Sequence, residues 1–187
     1  IGSENGSLEA NTNGSGMFSY LDNVDTLDLT GLDTSNMTSM SMMFYKSTSL
    51  KSIDVSGFDT SKVVNMNGMF WECSNLTSIN VSNFNTSKVT DMNNMFAECS
   101  NLITLDLSNF DTSNVLYMGN PYNYSYGGMF RNCSSLKELN VSSFNTSKVK
   151  YMSNMFQGCS SLTTLDLSNF NTSNVTAMAS MFDSCSS

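Results

Sequence analysis

The chain has 187 residues; only 13% are charged, the net charge at pH 7 is −8, and there is no histidine. Ser, Asn and Thr together account for 76 residues. An acidic surface of this kind repels phosphate and so argues against a nucleic-acid partner or an anionic membrane, and no apolar run exceeds four residues, far short of the ~20 that span a bilayer. Residues 1–16, rich in Gly, Asn and Ser, read as a linker or a degenerate first coil. No charged segment followed by an apolar one opens the chain, so a signal peptide would be already removed or lie upstream.

From Met17 onward the dipeptide Met-Phe recurs at Met17, Met43, Met69, Met95, Met129, Met155 and Met181. The intervals are 26, 26, 26, 34, 26 and 26 residues, a fixed period that marks a solenoid. With each Met taken as position 1, position 5 becomes Cys73, Cys99, Cys133, Cys159 and Cys185, and position 16 becomes Phe58, Phe84, Phe110, Phe144 and Phe170. Position 18 is Thr in all six repeats. Around Leu105 and Leu107 apolar and polar residues alternate, which predicts a short strand with one buried face. From Thr112 the buried positions advance by three and four, through Val115 and Met118, which predicts an amphipathic helical return with Thr112 or Ser113 as its N-cap. The expected architecture is an α/β solenoid, a right-handed superhelix with one short parallel strand and one short helical segment per 26-residue repeat, covering residues 17–187. None of these units buries its apolar face alone, so stacking makes the core.

The pattern Leu-x-x-Leu-x-Leu-x-x-Phe resembles the strand segment of leucine-rich repeats. The fuller unit, MFAECSNLITLDLSNFDTSNVLYM from Met95 to Met118, is similar to the 26-residue bacterial surface-protein repeat of the BspA-like family, found in wall-anchored proteins and lipoproteins. The chain departs from ordinary leucine-rich repeats in placing Leu or Phe where an Asn ladder would follow the strand. The resemblance implies an extracellular, surface-attached, adhesive protein and names no ligand.

The 34-residue interval carries eight extra residues within Gly119–Gly128, including Tyr122, Tyr124, Tyr126 and the single proline, Pro121. Tyr117 and Tyr151 flank the insertion at position 23 of adjacent repeats. An insertion between coils maps to a surface loop, and Tyr beside Asn, Ser and Gly suits sugar stacking or protein contact; the plainer reading is a tolerated insertion whose tyrosines pack on the solenoid. Its expected place is the helical, outer side. Position 12 is Asp28, Asp54, Asn80, Asp106, Asn140 and Asp166, pointing outward in mid-strand. That column reads either as a binding face with weak Ca²⁺ affinity or as a solvated polar sheet. Trp71 and Tyr45, at position 3 of adjacent repeats beside Tyr20, form a third candidate patch.

Five cysteines without a histidine or a Cys-x-x-Cys pair give zinc none of its usual ligand sets. Helical returns would hold neighbouring coils ~8–10 Å apart, beyond disulfide reach, so buried free thiols are expected. General acid–base or nucleophilic catalysis would need an asymmetric titratable pair, and the repeat offers none. The chain therefore reads as a non-catalytic binding module without a resident metal or cofactor, presented at the cell surface to a host protein or glycan. A stalk or filament subunit built by end-to-end stacking is the alternative. The chain stops just after Cys185 of a seventh repeat, with no polar capping coil, so a longer repeat protein or a completing partner is expected.

Overall fold

The computed structural model describes residues 8–121 and 126–185. The chain winds as a stack of coils in which each residue meets its counterpart one repeat away. The regular strands are short: β1 (Leu8–Glu9), β2 (Thr26–Leu27), β3 (Leu32–Asp33), β4 (Ser52–Ile53), β5 (Thr104–Asp106) and β6 (Glu138–Asn140). β1 pairs with β3, β2 with β4 and β5 with β6, all parallel. On another side of the coil a line of parallel bridges runs through Asn13, Ser39, Asn65, Asp91, Tyr117, Tyr151 and Ala177. The strand alternation read from Leu105 and Leu107 holds: both are buried, while Thr104 and Asp106 are exposed.

The helical return does not form; among the described residues there is no helix. The steps of three and four arise instead from a chain of tight turns. In one coil the N–H groups of Val63, Met69, Cys73 and Leu76 donate to the carbonyls of Thr60, Met66, Phe70 and Cys73, three residues back each time. Gly68 and Glu72 bracket Met69-Phe70-Trp71 with φ of 61° and 60°, and a left-handed residue every fourth position stops a right-handed helix. The intervening N–H groups of Gly68, Phe70 and Glu72 cross to the carbonyls of Asn93, Met95 and Ala97 in the next coil. An α-helix keeps its N–H groups within its own segment; here half of them bind the neighbouring coil.

This accounting sets the pitch. A straight stack needs the same rise on every side, and strands repeat at ~4.8 Å whereas packed helices need ~8–10 Å. Turns satisfy the strand pitch. Phe18, Phe44, Phe70, Phe96, Phe130, Phe156 and Phe182 accordingly stack face to face, with successive centroids 5.4–6.0 Å apart.

Two further expectations change with the pitch. The position-18 threonines are not N-caps. Thr112 is fully buried; its hydroxyl donates to the Asn145 carbonyl (3.0 Å) and accepts from the Asn145 N–H (2.8 Å) one coil on. Thr34, Thr60 and Thr146 make the same two-way bridge. The turn itself is closed by the preceding residue, as when the Asp111 carboxylate accepts the Ser113 N–H at 2.9 Å. The cysteines are free thiols, but helical separation is not the reason. Each sulfhydryl donates to a phenylalanine carbonyl of the preceding coil, Cys99 to Phe70 at 3.1 Å and Cys133 to Phe96 at 3.1 Å. Burial pushes the Cys73 and Cys159 thiols up to about 12 and raises those of Cys99 and Cys133 well above the usual thiol range, so none of the four is a ready thiolate.

An asparagine ladder is present after all, one residue before the phenylalanine column. Asn83 Nδ2 lies within 3.0–3.2 Å of the carbonyls of Val55, Ser56 and Phe58, and Asn109 and Asn169 repeat the arrangement. Gly31, Gly57 and Ser143 occupy this column in the other coils.

The insertion replaces the two residues between positions 24 and 1. Its ends are closed by the Met129 N–H on the Met118 carbonyl (2.9 Å), the bond that Met95 and Met92 make without an insertion. It therefore sits on the bridge-and-turn side, away from the strands.

Candidate functional site

Three groups of sequence-selected residues lie on different sides of the coil. On the strand side Asp28, Asp54, Asn80, Asp106, Asn140 and Asp166 are all exposed. Around the last three, a shallow depression of about 590 Å³ is lined by Thr104, Leu105, Glu138, Leu139 and Thr164 as well. Each position-12 side chain is engaged locally through Oδ1: Asp106 Oδ1 accepts the Ser108 N–H at 3.0 Å, Asn140 Oδ1 the Ser142 N–H at 3.1 Å and Asp166 Oδ1 the Ser168 N–H at 2.9 Å. Such bonds favour the ionised carboxylate. They hold Asp28, Asp54, Asp106 and Asp166 below the usual carboxylate range, the hydroxyl two residues on leading at Asp28 and Asp54 and the N–H leading at Asp106 and Asp166. Among the described residues no cluster of three or more His, Cys, Asp or Glu is placed to hold a metal.

At the turn corner Tyr45 meets Trp71 with centroids 4.9 Å apart and Tyr20 edge-on at 5.5 Å. Lys46 lies 5.3 Å over the Tyr45 ring. The same corner continues as a polar chain, Arg131 pairing with Glu98 and donating to Gln157, which donates to Asp183.

The third group is at the insertion. Tyr117 and Tyr151 stack with centroids 5.5 Å apart and ring planes 9° from parallel, held by the backbone bridge between them. Tyr126 is 60% exposed and lies 5.9 Å from the Arg131 guanidinium. Tyr122 and Tyr124 lie outside the described residues. Against the stacked pair opens a recess of about 320 Å³, whose other walls are Asn67, Asp91, Asn93, Gly119 and Pro121. The Asp91 carboxylate accepts the Asn93 N–H at 2.9 Å and lies 3.3 Å from Asn67 Nδ2. Burial nevertheless raises its pKa. Asn93 Oδ1 is buried with no hydrogen-bond partner.

The glycines explain how the insertion leaves and re-enters the coil. A Cβ on Gly119 would fall 2.5 Å from the Ser153 backbone, and one on Gly128 (φ +149°) would fall 2.2 Å from the Asn154 carbonyl oxygen. Only backbone without a side chain approaches the next coil this closely.

Asp91, Asn67 and Asn93 were not singled out from sequence. They occupy positions 23 and 25, where the column reads Ser39, Asn65, Asp91 and then changes abruptly to Tyr117 and Tyr151. That break beside the insertion was the available signal.

The family described as "Mycoplasma protein of unknown function, DUF285" matches residues 12–127 and 124–187. No curated protein matches the chain. The crystal structure of a leucine-rich repeat protein from Eubacterium ventriosum ATCC 27560 is similar at 18% identity and a TM-score of 0.49, over 96% of this chain. The chain spans 45% of that protein.

Proposed function

The chain belongs to the DUF285 family of BspA-like leucine-rich repeats, and from that premise we propose that it is a non-catalytic, cell-surface binding module of adhesin type. It would present its outer faces to a host protein or glycan. The observation that carries this reading is where the repeat varies. Core columns barely change from coil to coil, whereas the insertion and its flanks substitute exposed or half-exposed aromatic rings, Tyr117, Tyr126 and Tyr151, for the polar residues of earlier coils. Variation on the outer faces of a solenoid whose core stays constant is the usual arrangement of a recognition surface. Localisation at the cell surface rests on the family's character and is part of the same proposal.

The test is binding of the purified chain to a panel of matrix proteins and glycans, with and without Ca²⁺, beside a variant in which residues 119–128 are replaced by the two-residue link of the preceding coil. A ligand lost on shortening would place recognition at the insertion. One retained would move it to the strand face, and absence of any ligand for a folded chain would overturn the reading.

A second reading, a stalk or filament subunit, draws on the constancy of the aromatic stack, whose successive centroids stay 5.4–6.0 Å apart from Phe18 to Phe182. Sedimentation across a hundredfold concentration range separates the two: ordered end-to-end growth supports the filament, and a constant monomer removes it.

A further inference from the structure

We propose that the recess beside the Tyr117–Tyr151 stack binds one ring of a neutral sugar, such as the exposed terminal residue of an uncharged glycan. This names the ligand class for the binding module proposed above and rests on that reading.

The chemistry of the walls selects the ligand. Tyr117 contributes an aromatic surface whose orientation is fixed, because its partner ring lies parallel at 5.5 Å and the two backbones are bridged. A rigid, amphipathic ring costs little entropy to use. Pro121 adds a second apolar wall. Opposite them are acceptors. The Asp91 carboxylate is positioned by the Asn93 N–H and the Asn67 amide and keeps spare lone pairs. Asn93 Oδ1 is buried without any donor. Buried acceptors in a native fold are nearly always paired; Asn93 is among the residues lining the recess, and a rotation of its amide brings the unpaired oxygen to a donor that enters from outside.

Three ligand classes fail this lining. An anionic group would meet the Asp91 carboxylate on a chain of net charge −8. A hard cation wants six to eight oxygens, whereas the side-chain oxygens here come from Asp91 and two amides, one of which turns its N–H toward the carboxylate. A purely apolar group would leave Asn93 Oδ1 unpaired. A neutral sugar has what remains: an apolar C–H face for Tyr117 and a rim of hydroxyl donors for Asp91 and Asn93. A volume of about 320 Å³ lies at the small end of ligand sites and suits one ring, not an extended chain.

The site also has a structural origin. In earlier coils position 25 carries Ser41, Asn67 or Asn93; at the insertion it becomes Gly119. The Cβ direction of Gly119 is taken by the Ser153 backbone of the next coil, so this wall of the recess is bare backbone where the aromatic pair begins.

Saturation-transfer NMR of the full chain would use the methyl glycosides of glucose, galactose, mannose, N-acetylglucosamine and N-acetylgalactosamine, with N-acetylneuraminic acid as the anionic arm. The expected result is saturation of at least one neutral sugar, strongest at ring C–H protons, with the acidic sugar silent. Tyr117→Leu, which keeps bulk but removes the ring, and Asn93→Leu should each weaken binding tenfold or more. Trp71→Phe, at the separate aromatic corner, should not. Circular dichroism and thermal melting identify which variants are folded. Silence from every neutral sugar, equal saturation by the acidic one, or unchanged binding by folded Asn93→Leu overturns the proposal. The panel of matrix proteins and glycans is run in parallel with Asn93→Leu. A macromolecular ligand held equally by wild type and this variant leaves the module reading standing and sinks the sugar site, while no ligand of any kind sinks both.

Discussion

The strand face around Asp106, Asn140 and Asp166 and the bridge-and-turn face around Asp91 and Tyr117 are built from the same repeat yet differ in how their polar groups are satisfied. On the strand face each Asp or Asn oxygen accepts the N–H two residues on, and the same bond recurs from coil to coil. On the other face the column changes from Asn65 and Asp91 to two tyrosines, and Asn93 Oδ1 is left buried and unpaired. Repetition lets a solenoid satisfy itself. Unspent hydrogen-bonding capacity collects where the repetition is broken, and that is where a ligand has something to gain.

The comparison breaks most visibly at glycine. Gly128→Ala should cost about 4 kcal/mol or more, because φ near +150° is almost exclusive to glycine and the new methyl has no room; it would meet the Asn154 carbonyl oxygen at 2.2 Å. Gly57→Ala, on the strand-side corner, meets nothing within 4 Å and should gain about 0.4–1 kcal/mol by restricting the unfolded chain. Thermal melts of both variants check the pair; similar shifts would mean that the insertion's re-entry is not constrained as described.

Next in size is the buried threonine bridge. Thr112→Val keeps the shape but leaves the Asn145 N–H and carbonyl without their partner, an expected loss of about 2–4 kcal/mol. Urea midpoints measure it, and a cost below 1 kcal/mol would show that water enters and replaces the hydroxyl.

Two asparagines then test the contrast in satisfaction directly. Asn109 donates to the carbonyls of Val81 and Phe84 at 3.1 Å each, so Asn109→Leu should cost about 1–2 kcal/mol. Asn93→Leu removes a buried acceptor that has no partner and should raise stability by about 1 kcal/mol. A residue whose removal stabilises the fold is held for another purpose. If both substitutions destabilise equally, Asn93 is structural.

How much of this was legible in the sequence depends on which bonds set the spacing. The columns of Phe, Cys and Thr gave the coil and its core, and alternation around Leu105 gave the strands. The expected helix fails because Val115, Met118 and, once the eight inserted residues are removed, Met129 keep helical spacing, yet that spacing is also produced by a succession of three-residue turns. What distinguishes them is the left-handed column at position 4, where Tyr20, Lys46, Glu72, Glu98, Asn132, Gly158 and Ser184 offer no single residue type to mark it in the sequence. Thr112 was read as a cap because its hydroxyl's partner lies one coil away, invisible along the chain. For the site, Tyr117 and Tyr151 were found through the insertion, but Asp91 and Asn93 look like two more polar residues among many. Their significance comes from the burial of the Asp91 carboxylate and the missing partner of Asn93 Oδ1, which only packing reveals.

The smallest expected effect is in pH, and it separates the two faces by sign. Asp106 has its carboxyl held below 3.8 by the Ser108 N–H and hydroxyl, so its contribution is present above that value and is lost as pH falls through the lowered pKa. Asp91 has its pKa raised above 3.8 by burial, so the fold favours its neutral form; that contribution is present below 3.8 and is lost as pH rises past the raised value. Asp106→Asn should therefore be slightly less stable than wild type at pH 7 and indistinguishable from it in strong acid. Asp91→Asn, which keeps an oxygen for the Asn93 N–H, should be the more stable protein at pH 7 and lose that advantage in acid. Denaturation midpoints from pH 2.5 to 7 for the three proteins measure the two differences. Parallel slopes would mean that Asp91 is as well solvated as the strand carboxylates, and the contrast between the faces would then rest on Asn93 and the tyrosines alone.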